Sequence, residues 1–117
     1  LYWTLADERL SPKATQAIGQ AERVIISSIS IWEVGLKVKN GKLALPLALG
    51  AYVEDLKNAY KIEIMPVTET TWLKNIELSW MHKDPADRTI VATASLLGCP
   101  LISSDQQIQS FYQQTIW

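Results

Sequence analysis

From Ser11 onward the apolar positions of this chain switch repeatedly between helical and strand spacing. Ser11-Pro12 supplies an N-cap and a proline at the first helical position, and Ala14, Ala17, Ile18 and Ala21 recur at helical intervals, predicting a helix over about 11 to 22. Val24-Ile25-Ile26-Ser27 is a short β-branched run, the pattern of a buried strand. Ser30-Ile31-Trp32-Glu33 has capping-box spacing, and Ile31, Val34, Leu36 and Val38 carry the next helix to Asn40-Gly41. A third helix is expected from Pro46 to about Lys61, with Leu49, Val53, Leu56 and Tyr60 on one face. Ile62 through Val67 alternates as a strand does, and Thr68 caps a helix running through Leu78. Asp84-Pro85 opens a helix whose apolar residues Ile90, Val91, Ala94 and Leu97 end at Gly98, before a strand at Pro100-Leu101-Ile102-Ser103. Asp105 through Tyr112 follows, and Thr115-Ile116-Trp117 reads as an edge strand. Upstream of all this, Leu1-Tyr2-Trp3-Thr4-Leu5 is an apolar stretch with the character of the middle of an element.

Strands alternating with helices predict an α/β fold with a parallel sheet covered on both faces and ligands at the carboxyl ends of the strands. That rule directs attention to three acids. Glu33 lies one turn into the helix after the first visible strand, Asp87 one turn into the helix at 85, and Asp105 directly after Leu101-Ile102-Ser103-Ser104. Carboxylates gathered from separate loops hold hard divalent cations against a phosphodiester, which makes a metal-dependent phosphodiesterase the physical inference. Each acid also has a plainer reading. Glu33 fits a capping box with Ser30, Asp87 a first-turn acid favoured by the helix dipole, and Asp105 an ordinary N-cap. Only their convergence speaks for a site.

Composition narrows the field without naming a function. A chain of 117 residues has room for one core, so 1–117 is expected to be a single domain. With 11 Lys+Arg against 12 Asp+Glu, the net charge of -1 leaves nucleic-acid contact to a local patch rather than a basic clamp. Cys99 is the single cysteine, which excludes an internal disulfide, and no apolar run approaches a membrane span; a soluble, reducing, cytoplasmic setting is expected.

Taken together, Ser27-Ser28-Ile29-Ser30-Ile31-Trp32-Glu33, Lys37, Gly41-Lys42-Leu43, His82-Lys83-Asp84-Pro85-Ala86-Asp87-Arg88 and Ser103-Ser104-Asp105 closely resemble the PIN-domain ribonucleases, specifically the VapC-like toxins of bacterial toxin–antitoxin pairs. The resemblance runs in order along essentially the whole chain, and its S-x-x-S-x-W-E and D-P-x-D-R segments are the specific ones. It implies a three-layer α/β/α sandwich around a parallel sheet and an acidic cluster that binds Mg²⁺ or Mn²⁺ and cuts RNA, single-stranded or structured. Glu33, Asp87 and Asp105 fall on three of the family's four acidic positions, as metal ligands and catalytic residues. The fourth acid ends an N-terminal strand that this sequence is expected to lack, since it starts after that segment, and Asp7, beside Glu8, is not a substitute. Ser103 and Asp84 are expected to orient the carboxylates, and Arg88 and Lys37 to contact the RNA. The resemblance further implies a cognate antitoxin lying in the acidic groove and a homodimer, for which the apolar Leu45, Leu47 and Leu49 and the helix at 68–79 offer a surface.

Some residues stand outside the assigned site. His82 is read as a hydrogen-bonding loop residue rather than a catalytic one, and Trp32, Trp72, Trp80, Tyr52 and Tyr60 as core rather than base-stacking platforms. Two functions from different classes follow: a toxin endoribonuclease, or a catalytically silent PIN-like module that keeps only partner binding.

Overall fold

The computed structural model describes residues 10–117, so the readings of Leu1–Leu5, Asp7 and Glu8 lie outside the described residues. Contacts divide the chain into two compact units, residues 22–67 and the remainder.

In the 22–67 unit, β1 (Val24–Ser27) pairs in parallel with β2 (Ile62–Met65), Val24 opposite Ile62 and Ser27 opposite Met65. Two parallel strands need a long crossover, which α2 (Ser28–Lys39) and α3 (Leu49–Asn58) provide. The expected strand is found at its expected bounds, but α2 begins two residues before Ser30. Ser27 is the N-cap, its hydroxyl accepting from the Ile29 amide at 3.2 Å, so Ser30 lies inside the helix and the predicted capping box with Glu33 does not form. The chain turns from strand to helix without a linker because one serine both ends the ladder and caps the helix. Gly41 at φ 72 stops α2 near the expected place.

The third helix begins at Leu49 rather than Pro46, and Tyr52 and Leu56 are its buried residues; Tyr60 lies beyond its end and is 91% exposed. Trp32 departs from expectation in the same way. It is 58% exposed and, with Ile31, Val53, Ile62 and Ile64, lines an open apolar groove rather than filling a core.

The second unit contains α1 (Pro12–Gln20), α4 (Glu69–Glu77), α5 (Pro85–Leu97), β3 (Leu101–Ile102), α6 (Gln106–Phe111) and β4 (Thr115–Ile116). Ser11 caps α1, with its hydroxyl accepting from the Ala14 amide at 3.1 Å. β3 and β4 form a second parallel pair, joined across α6. In this unit α4 packs against α5, with Thr71 and Asn75 buried on α4 and Ala86, Thr89, Val91, Ala92 and Ala94 buried on α5. The polar residue with no exposed surface there, Thr89, is satisfied. The fully buried Thr89 hydroxyl donates to the Pro85 carbonyl at 2.7 Å and accepts from Asn75 Nδ2 at 3.0 Å. Both pairs are parallel, as the alternation of strands and helices predicts, and the described residues hold them as two separate two-stranded ladders.

Candidate functional site

The segment from Trp80 to Arg88 is built by the start of α5. Asp84 is the N-cap, and its Oδ1 accepts from the amides of Ala86 at 2.9 Å and Asp87 at 3.0 Å. Pro85 follows at the first helical position, where its missing N–H costs nothing. This capping places Asp87 in the first turn, at the positive end of the helix dipole. Asp84 thus acts on Asp87 through the backbone that carries it.

Arg88, one residue on, turns back over the loop that precedes the helix. Its Nη1 donates to the carbonyls of Trp80 at 2.6 Å and His82 at 3.1 Å, and its Nη2 to those of Asn75 at 2.5 Å and Leu78 at 3.2 Å. Nε donates to Asn75 Oδ1 at 3.2 Å. A guanidinium has five N–H donors, and all five are engaged within the chain. The side chain expected on the RNA path therefore holds the end of α4 and the 78–82 loop against α5.

With the loop held, His82 Nε2 lies 2.8 Å from Asp87 Oδ2. An ionised carboxylate only accepts, so the ring donates from Nε2. Both side chains are about one-fifth exposed. This pairing is what the sequence reading missed. His82 stands two residues before the D-P-x-D-R segment, and a lone loop histidine carries no signal of which side chain its ring will meet.

Asp105 caps α6: its Oδ1 accepts from the amides of Gln107 at 2.8 Å and Ile108 at 3.1 Å. Ser103 Oγ accepts from the Asp105 amide at 3.1 Å, so it sets the backbone of Asp105 and leaves the carboxylate to the cap. Asp87 and Asp105 each spend one carboxylate oxygen in this way and keep the other without a hydrogen bond among the described residues. Hard, anionic oxygen donors of this kind suit Mg²⁺ or Mn²⁺. Among the described residues, however, no three His, Cys, Asp or Glu side chains gather closely enough to hold an ion by themselves. Asp87 and Asp105 belong to the same unit, whereas Glu33, partly buried in α2, and the exposed Lys37 of its last turn belong to the 22–67 unit.

His82 and Gln106, the neighbours of Asp87 and Asp105, line one open pocket of about 650 Å³ together with Trp80, Lys83 and Gln107. A hydrogen-bond partner of Asp87 and the residue that follows Asp105 thus share the lining of one hollow. Trp80 is held there by rings, stacked on Phe111 with centroids 4.8 Å apart at 9° and tilted 38° to His82 at 4.8 Å.

Compared with known proteins, the chain matches the PIN domain family over residues 1–113. It is 28% identical over 120 residues to Ribonuclease VapC22 of Mycobacterium tuberculosis (strain ATCC 25618 / H37Rv), an alignment covering 99% of this chain and 91% of that protein. No solved structure matches.

Proposed function

Because this chain belongs to the PIN domain family, we propose that it is an endoribonuclease, the toxin of a toxin–antitoxin pair, hydrolysing phosphodiester bonds of RNA. The observation that carries the reading is the similarity to a VapC ribonuclease along 99% of the chain. We take 1–117 as one PIN-like domain, the family match running unbroken across both compact units.

In this reading Glu33, Asp87 and Asp105 hold Mg²⁺ or Mn²⁺. When bound, such an ion lowers the pKa of a coordinated water and polarises the scissile phosphate. The chain's own residues prepare the carboxylates. His82 restrains Asp87 through Oδ2, Asp84 and Pro85 fix the turn that carries it, and the Gln107 and Ile108 amides restrain Asp105, leaving one oxygen of each aspartate for the ion. Glu33 serves as ligand or orients the attacking water, and Lys37 offers an exposed cation to the RNA backbone. Arg88 contributes to substrate binding through the loop it holds. The partners that follow are an RNA substrate, a cognate antitoxin covering the acids and a second copy of the chain, in the cytoplasm. No helix among the described residues is long and apolar enough to cross a membrane.

The test is cleavage of an RNA panel with Mn²⁺, with Mg²⁺ and with chelator, for the chain and for Asp87→Asn and Asp105→Asn. Metal-dependent cleavage that falls at least about 100-fold in both variants is expected. Cleavage that persists unchanged in both variants refutes the site, and a folded wild-type chain that cuts no RNA points to the silent interaction module.

A further inference from the structure

The open pocket lined by His82 and Gln106 has a lining unlike that of a metal site. No carboxylate lines it; its walls are the rings of Trp80 and His82, the ammonium of Lys83, the amides of Gln106 and Gln107 and the hydroxyl of Ser110. It is a wide-open hollow of about 650 Å³ on the surface. We propose that this hollow is a nucleobase subsite, which seats one base of the RNA next to the cleaved phosphate and sets the sequence preference of cutting. The proposal rests on the ribonuclease reading and adds to it where the substrate lies.

Three features of the site point to a base rather than to another small ligand. Trp80 and His82 both line the pocket with ring centroids 4.8 Å apart at 38°, and Phe111, outside the lining, stacks on Trp80 at 9° and fixes it, so an aromatic surface stands at the pocket without side-chain rearrangement. Stacking on such a surface accepts any base. Next to it, two adjacent glutamines from the first turn of α6 present amides, which both donate and accept and so match the mixed edge of a base. Both glutamines are exposed, and no hydrogen bond to another described residue engages the Gln106 or Gln107 side-chain amide. Lys83, also exposed, supplies the single positive charge of the lining, enough for one backbone phosphate.

Position supports the same conclusion. His82 is bonded to Asp87, and Gln106 follows Asp105 directly, so two residues of the lining are immediate neighbours of the two aspartates. A nucleotide whose base occupies the hollow carries its phosphate toward those acids. Met81, 91% exposed at the same pocket, is a flexible apolar side chain free to fold over the base.

The experiment is a titration of the whole chain with AMP, GMP, CMP and UMP, and separately with inorganic phosphate, followed at the Trp80 indole N–H resonance. Trp80→Phe identifies that resonance among the five tryptophans. Gln107→Ala, an exposed helical position, keeps the test available should Trp80→Phe not fold. Expected are a saturable shift with at least one nucleotide, none with phosphate, and a Kd raised at least about five-fold by Gln107→Ala with an altered order of preference among the four bases. No shift with any nucleotide, or an equal shift with phosphate alone, overturns the proposal. RNA cleavage on the same samples separates the two readings. Nucleotide binding by a chain that cuts no RNA leaves the subsite standing and refutes the ribonuclease reading, whereas cleavage without a nucleotide-induced shift refutes the subsite alone.

Discussion

Replacing Arg88 by methionine keeps the stem of the side chain and removes the five donors with which it ties α4 and the 78–82 loop to α5. Five hydrogen bonds end on four carbonyls and the Asn75 amide oxygen. Hydrogen bonds from a charged donor are worth about 1.5–3 kcal/mol net each, so five independent ones total roughly 7 kcal/mol or more. That sum overstates the loss. The five share one charge, and the partly buried site admits water to the released carbonyls, so about half of it, roughly 3 kcal/mol, is the expected destabilisation. For a chain of this length it corresponds to a fall of about 12 °C in Tm. Arg88→Lys keeps the charge but has three donors on a compact ammonium in place of a planar fork, and should recover about 1 kcal/mol. Urea denaturation followed by tryptophan fluorescence gives both values. A loss under about 1 kcal/mol for Arg88→Met, or full recovery in Arg88→Lys, refutes the assignment of the guanidinium to the fold.

Two further outcomes follow from groups far from the loop. Tyr112 donates its phenol to the carbonyls of Cys99 at 2.6 Å and Ala94 at 3.2 Å; burial first, and the Cys99 charge second, hold its pKa above the ordinary 10.0. A folded value above the unfolded one means that its contribution is whole below about pH 10 and is lost as the pH rises through the folded value. Urea midpoints compared at about pH 8 and about pH 11 should fall further for the wild-type chain than for Tyr112→Phe, and parallel falls would show that the phenol does not couple to folding. Gly98 ends α5 at φ 63 with nothing near the Cβ an alanine would add, so Gly98→Ala should cost about 1 kcal/mol from backbone strain alone, with Gly98→Asn costing less. Equal urea stability of the alanine variant and the wild-type chain would contradict that account.

What was legible along the chain was local. Ser11-Pro12, Asp84-Pro85, Asn40-Gly41 and Gly98 stop and start helices through bonds and dihedral preferences that reach only a few residues, and each does so in the structure at or beside its expected place. Val24–Ser27 reads as a strand because three β-branched residues in a row, closed by a serine, favour the extended chain. The errors were local signals outcompeted by neighbours. Ser30 had the spacing of a cap, but Ser27, at the very end of the ladder, took the role first. Trp32 and Tyr60 are placed inside by the apolar faces of their expected helices, which state what a side chain gains from burial and not whether a partner surface is there to bury it.

The sequence by itself determined the α/β alternation, the acids at the ends of strands and the starts of helices, and the resemblance that links them. Only tertiary structure decided how the side chains around those acids are used. That Arg88 spends five donors on the loop and on Asn75 of α4, that His82 meets Asp87, and that Trp80 stacks on Phe111 are contacts across separate elements, where a side chain's direction depends on how helices pack. Spacing along the chain specifies neighbours within about one helical turn; a hydrogen bond 13 residues away, such as that from Arg88 to Asn75, exists only once α4 has been laid against α5.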